Sequence, residues 1–344
     1  MNANATAFVP GQSMGSVARE HGTGLPAEDL SWQDVPRVAT TEDELRRLLQ
    51  LLASEPLLCV DCEGADLSKG SWRNGQMQSD IDVPLHGRIC LIQLGTSAGE
   101  AYAIDLLQLG QRAFELGLGK LLESEQPVKV VHDFRQDADA LWHQFGVSVG
   151  GLFDCQLCDI FLRRLQGHKT AYVQGSAKLL SAYGVELGSV PGYGLITQEK
   201  KQAIHERFSQ DRHLWERRPL PEDMLEYALQ DVRPMPQLHF RLLQSLAQLL
   251  PGGEEAAWQL VLAGSFAYAQ DFASQPTCRC RLCCNASENA RFDGHRLLTR
   301  MAAQIQPELL QWLWRPEDNE ALSLPGPSRF CVNEHDESVP LPGY

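Results

Sequence analysis

Leu57-Leu58-Cys59-Val60-Asp61-Cys62-Glu63-Gly64 sets an apolar run directly against two acids. Residues 57–61 read as a buried β-strand, with the acids at its end. Side chains alternate along a strand, so Asp61 and Glu63 point to the same face. Two adjacent carboxylates repel each other, and a divalent metal is the natural group to sit between them. Taken alone, an Asp-x-Glu after a strand is equally an ordinary loop start.

Outward from this stretch the pattern repeats. Arg88-Ile89-Cys90-Leu91-Ile92-Gln93-Leu94 and Ala101-Tyr102-Ala103-Ile104-Asp105 read as two further strands. His86-Gly87 and Ala98-Gly99 mark turns before each, which predicts a meander. Upstream, Thr41-Glu42-Asp43-Glu44 opens a helix with Leu45, Leu48, Leu49 and Leu52 at helical spacing, and Pro56 ends it. Downstream, Lys129-Val130-Val131-His132 is a fourth strand, a helix follows from Gln136 to Phe145, and 150–154 is a short fifth strand. Three antiparallel strands followed by βα alternation predict an α/β protein, a mixed sheet flanked by helices. From about 156 to 250 the pattern is mostly helical, with a turn-rich stretch from Gly184 to Gly194. Pro221-Glu222-Asp223 opens one of these helices with Pro at its first position, and Pro234 and Pro236 disturb its end. Residues 254–274 and 295–314 are later helix candidates.

Two more motifs carry acids. Val130-Val131-His132-Asp133-Phe134-Arg135-Gln136-Asp137-Ala138-Asp139 feeds a strand into a helix whose first turn is acidic. Helix dipoles alone favour such acids. In Glu226-Tyr227-Ala228-Leu229-Gln230-Asp231-Val232, Tyr227 and Asp231 stand four apart and share one helix face. A core tyrosine with a surface aspartate gives the same spacing.

Composition bounds the function. The chain has 344 residues, 30 Lys plus Arg against 44 Asp plus Glu, and a formal charge of −14. That excludes a generally basic, histone-like binder of polyanions. It leaves room for a local basic groove or a metal-filled acidic pocket. Ten cysteines, unevenly spread, do not make a disulfide scaffold, so a reducing compartment is expected. No apolar run approaches the roughly 18 residues of a membrane span, and no secretory pattern opens the chain. An intracellular location follows, cytoplasmic or nuclear. An Ala-, Ser- and Gly-rich start leaves organelle targeting as an alternative to a plain disordered tail.

Taken together, the three motifs resemble the DEDD exonuclease superfamily, in its subgroup with a tyrosine in the third motif. The likeness is to ribonuclease D and to the Egalitarian-like exonuclease-domain proteins. Asp61-Cys62-Glu63-Gly64 matches the first motif, and His132 followed five residues later by Asp137 matches the second. Arg218-Pro219-Leu220 with Tyr227, Ala228, Asp231 and Val232 matches the third. Gly151-Leu152-Phe153-Asp154-Cys155-Gln156 is similar to a phrase that follows the second motif in the Egalitarian-like branch. The resemblance covers about residues 38–247.

It implies a ribonuclease H-like fold and a metal-dependent 3′-to-5′ exonuclease, acting on RNA and releasing nucleoside monophosphates. Asp61, Glu63, Asp137 and Asp231 would be the ligands of two Mg²⁺ or Mn²⁺ ions about 4 Å apart. One ion would generate the hydroxide and the other stabilise the leaving oxygen. Tyr227 would orient the attacking water. Asp137 is preferred over Asp133 and Asp139 on the family's five-residue offset from His132. Two other readings remain open: a non-catalytic RNA-binding adaptor on the same fold, and a DNA exonuclease.

The implied organisation is a disordered tail over 1–34, the exonuclease domain over 35–250, a helical extension over 251–321, and a Pro-rich tail over 322–344. The expected partner is single-stranded RNA, with no membrane partner and an open oligomeric state. Asp66 to His86 is longer than the short hairpin the family needs. It reads as an inserted loop whose Trp72 could stack on a base, with Lys69 and Arg73 on phosphates, or as a solvated insertion. Residues 161–218 hold ten basic residues against five acidic ones, a face that could draw phosphates or be a mixed-charge helical surface. Cys278, Cys280, Cys283 and Cys284 could hold Zn²⁺, with His295 near in sequence. Free loop thiols are the preferred reading.

Overall fold

The computed structural model describes residues 31–65, 67, 72–73, 76–77, 87–168, 170, 173–185, 203–204, 206–207, 211, 213–273, 297, 301, 310 and 313. In chain order the elements are β1 (Val38–Ala39), α1 (Glu42–Leu52), β2 (Leu57–Ala65), β3 (Trp72–Arg73), β4 (Gln76–Met77), β5 (Arg88–Gly95) and β6 (Ala101–Asp105). Three short helices follow, α2 (Leu106–Leu109), α3 (Gln111–Ala113) and α4 (Gly119–Glu123), then β7 (Val128–Val131), α5 (Arg135–Phe145) and β8 (Leu152–Asp154). The rest is helical: α6 (Cys155–Leu165), α7 (Ser176–Ala182), α8 (Glu222–Val232), α9 (Met235–Ala247) and α10 (Gly253–Ala273).

Helix α1 starts where its chemistry dictates. Thr41 accepts the Glu44 N–H, and Glu44 reaches back to the Thr41 N–H at 2.9 Å, a capping box. Its Leu45, Leu48 and Leu52 are fully buried, each worth about 1.5–3 kcal/mol of apolar burial.

The main sheet has the order β1-β6-β5-β2-β7-β8. β2, β5 and β6 form the antiparallel meander, and β7 and β8 add in parallel. The expected mixed sheet flanked by helices is therefore present. Period-two alternation divides it into two cores. Cys59, Leu91, Ala103, Val130 and Phe153 face α6, α8 and α9 on one side. Leu58, Val60, Ile92, Leu94, Ile104 and Val131 face α1, α5 and the turns after β6 on the other. Helix α10 packs along α5, α6, α9 and β8. No helix among the described residues is long and apolar enough to cross a membrane.

Three local expectations change. β2 does not stop at its apolar run but continues through both acids to Ala65, because β5 stays paired with it to Arg88. Pro221 sits just before α8 rather than at its first position, leaving Glu222 to begin the helix. β1, two residues long and parallel to β6, is too short to leave a periodic signal.

Part of the 66–86 stretch pairs as a small hairpin, Trp72 with Met77 and Arg73 with Gln76. Residues 31–34, expected as the end of the tail, instead form a turn in which Asp34 accepts from Ser31 and Trp32 stacks on Tyr102. Lys69, the side-chain roles suggested for Trp72 and Arg73, the cysteine cluster, residues 1–30, the C-terminal tail and most of 295–314 lie outside the described residues.

Candidate active site

Asp61 and Glu63 rise from the middle of β2 on the face covered by α8. Asp61 is in register with Gln93, and Glu63 with Leu91. The next pair is Gly64 with Ile89, so Cys90 is an extra residue on β5. This is a β-bulge, a device that re-aims side chains. Gly64 is required there: a Cβ on it would lie 2.0 Å from the Arg88 carbonyl oxygen. The glycine of the first motif thus closes the ladder beside the acids.

Helix α8 brings the third motif over this face. Met224, Ala228, Leu229 and Val232 are buried beneath it, while Tyr227 and Asp231 flank that face and keep partial exposure. Val232 closes on Gly95 of β5, where a Cβ would stand 3.1 Å from the Val232 carbonyl oxygen. Upstream, the Arg218 guanidinium forks onto Asp105 at 2.5 and 2.8 Å and also donates to the carbonyls of Trp215 and Cys90. Asp105 in turn caps α2 through the Leu107 and Gln108 N–H groups. The Arg-Pro-Leu ahead of the third motif is thus an anchor to the sheet. On the outer side of α8, Glu226 pairs with Arg37 at 2.5 Å and Arg233 at 3.0 Å.

The second motif is built around Asp154. Its carboxylate accepts the N–H groups of Asp133, Phe134, Gln156 and Leu157. One buried side chain therefore caps α6 and fixes the turn that opens α5. Asp133, at φ 56°, takes a two-point contact from Arg135 at 2.6 and 3.0 Å. His132 Nε2 donates to the Gln174 carbonyl at 3.1 Å, and Gln156 Nε2 donates to the same oxygen. Asp139 lies 3.4 Å from His143. Asp137, in the first turn of α5, is buried at 8% exposure.

The four acids named from the sequence converge in two degrees. Asp61, Glu63 and Asp231 each offer a carboxylate oxygen, all within 4.8 Å of one another. Asp137 is not part of that tight trio, yet it lies close enough to act on Asp61. Burial lifts the Asp61 pKa well above the usual carboxylate range, and the charges of Asp137, Glu63 and Asp231 lift it further. Burial, with Asp231, Glu63 and Asp61 nearby, also pushes the Tyr227 hydroxyl upward. The donor set fits a hard divalent cation: oxygen ligands only, anionic, and crowded enough that ionisation is costly without a positive partner.

Two sequence readings look different in three dimensions. Several basic residues of 161–218 are already engaged: Arg163 by Asp159, Arg164 by the Leu313 carbonyl, Arg207 by Asp223, Arg217 by Asp211 and Arg218 by Asp105. Lys169, Lys200, Lys201 and Arg212 lie outside the described residues. Gln93, by contrast, carries no motif in the sequence. It is fully buried opposite Asp61, and its only signal is one amide in an apolar strand.

Comparison with known proteins bears on the same elements. A 3'-5' exonuclease family model matches residues 36–247. The piRNA biogenesis protein EXD1 of Mus musculus is 31% identical over 147 residues, covering 42% of this chain and 24% of that protein. Ribonuclease D of Nitrobacter hamburgensis is 28% identical over 196 residues, covering 56% of this chain and 40% of that protein. The chain thus spans less than half the length of these relatives. Among solved structures, RNase D of Trypanosoma brucei in complex with GMP superposes with a TM-score of 0.57 at 22% identity, covering 77% of this chain and 71% of that one, which speaks for the fold. Because the family match takes in β1 through α9, with every motif acid inside it, this chain belongs to the 3'-5' exonuclease family, within the DEDD superfamily that its motifs resemble.

Proposed function

We propose that the chain is a metal-dependent 3′-to-5′ exonuclease that hydrolyses phosphodiester bonds of single-stranded RNA by a two-metal mechanism. The observation that carries this reading is the trio of carboxylate oxygens within 4.8 Å, with Asp137 pressing its charge on Asp61. Asp61, Glu63, Asp137 and Asp231 would hold Mg²⁺ or Mn²⁺. Bound there, the ions supply Lewis-acid activation of water and neutralise charge on the phosphate.

The chain's own residues do the rest. Tyr227 keeps its proton at neutral pH, since burial and the neighbouring acids disfavour its anion. It therefore orients the attacking water by hydrogen bonding rather than by taking a proton. His132 directs its Nε2 at a carbonyl, which assigns it to holding the 173–175 segment against the second motif. RNA as substrate follows the relatives: the T. brucei neighbour is an RNase D with GMP bound, and ribonuclease D recurs among the curated matches.

The test is a time course on 5′-labelled RNA and DNA oligomers with Mg²⁺ or Mn²⁺. Stepwise shortening of RNA from its 3′ end is expected. Faster loss of DNA would move the substrate to DNA. Binding of RNA with no shortening of either polymer would replace the enzyme by an adaptor.

A further inference from the structure

Strand β5 carries one amide in an otherwise apolar row: Ile89, Leu91, Ile92 and Leu94 are buried around Gln93. Gln93 stands opposite Asp61 on β2 and opposite Ala103 on β6. Directly opposed residues share a sheet face, with Cβ atoms about 4.5–5.5 Å apart. Gln93 therefore lies beside Asp61, on the face that α8 covers. It has no exposed surface, and neither Oε1 nor Nε2 has a hydrogen-bond partner among the described residues. Unmade hydrogen bonds of buried polar groups are costly, and an apolar side chain would fill the same volume without that penalty. Packing does not account for an amide here. Asp61, for its part, accepts the Cys62 N–H, while a carboxylate has about four acceptor positions to fill.

We propose that Gln93 is a positioning residue for Asp61: with a divalent cation in the acidic cluster, its Nε2–H donates to the Asp61 carboxylate, directly or across one buried water, and fixes which oxygen faces the ion. Gln93 acts through Asp61 and touches neither ion nor phosphate. The inference rests on the metal reading of the cluster. Hydrogen bonds of this kind orient metal-binding carboxylates, and their loss weakens metal affinity by about 10–100-fold.

The experiment measures Mn²⁺ binding to the full chain by calorimetry and by electron paramagnetic resonance, for wild type, Gln93→Met and Gln93→Asn. The metal-free Gln93→Met protein is expected to melt at or above the wild-type temperature. Its Kd for Mn²⁺ should rise about tenfold or more, and with RNA its kcat should fall while KM holds. Wild-type Mn²⁺ affinity in Gln93→Met would overturn the role of Gln93 while leaving the metal reading intact. If Gln93→Met does not fold, Gln93→Asn, which withdraws the amide by one methylene, decides by the same Kd. Wild-type protein that binds no Mn²⁺ would overturn the metal reading and this inference together.

Discussion

Asp154 and Asp61 are both acids that burial pushes toward higher pKa, and they keep opposite company. Asp154 gathers four backbone N–H groups and knits β7, α5, β8 and α6 into one turn. Asp61 has three other carboxylates around it. A buried acid answered by donors is a part of the fold. A half-buried acid answered by acids is a cost that folding alone does not repay, and it is the kind of group that the proposed cation would neutralise.

Substitutions can pull this contrast apart. The largest effect is expected for Asp61→Asn, which should lower nuclease turnover by orders of magnitude while raising the melting temperature of the metal-free protein. Because the folded pKa of Asp61 lies above its unfolded value, the metal-free protein loses stability as pH climbs from about 4 through that raised value, and the Asn variant should show a flatter profile. Urea titrations across pH would reveal it, and an Asn variant that retains turnover breaks the comparison. Tyr227→Phe should slow hydrolysis by about a hundredfold with Mn²⁺ affinity nearly intact; single-turnover rates decide, and undiminished turnover removes Tyr227 from the chemistry.

Asp154→Ala should behave in the reverse sense, costing about 2–4 kcal/mol of stability as its donors lose their acceptor. Equilibrium denaturation reads this directly, and a loss below about 1 kcal/mol would show the hub to be dispensable. Gly95→Ala must push Val232 and the end of α8 outward by a few tenths of an ångström. A stability loss of about 1–3 kcal/mol is expected, together with a weaker Mn²⁺ Kd, because Asp231 rides on that helix end.

The smallest effect belongs to Glu226, an acid of α8 that meets two arginines. Burial would raise its pKa, but Arg37 and Arg233 outweigh it and hold it below the usual range. Its contribution is therefore present above pH ~4.5 and lost as pH falls through the folded value. Glu226→Gln should flatten the acid limb of stability by less than about 1 kcal/mol, visible in melts between about pH 3 and 6.

The site is more legible in the sequence than the scaffold that aims it. Period-two spacing puts Asp61 and Glu63 on one face, and period 3.6 puts Tyr227 and Asp231 on another, from residue order alone. The choice of Asp137 over Asp133 and Asp139 comes from the family offset; in the fold Asp133 is engaged by Arg135 and Asp139 lies beside His143. What stays hidden is whatever depends on distant partners. The bulge at Gly64 needs β5 to exist. Arg164 and Arg218 look like part of a phosphate-attracting run until the Leu313 carbonyl and Asp105, both far away in sequence, meet them. Gln93 gives no sign of itself, because a single amide in a strand says nothing about which side chain lies across the ladder.

The fork of Arg218 on Asp105 has one more consequence. It tethers the chain to the sheet just before α8 starts, so the helix is aimed by a local anchor and not by the long route from α6. The third motif therefore keeps its address without relying on the length of chain between Leu165 and Arg217. A scaffold so arranged holds Tyr227 and Asp231 in place independently of the path by which the chain reaches them.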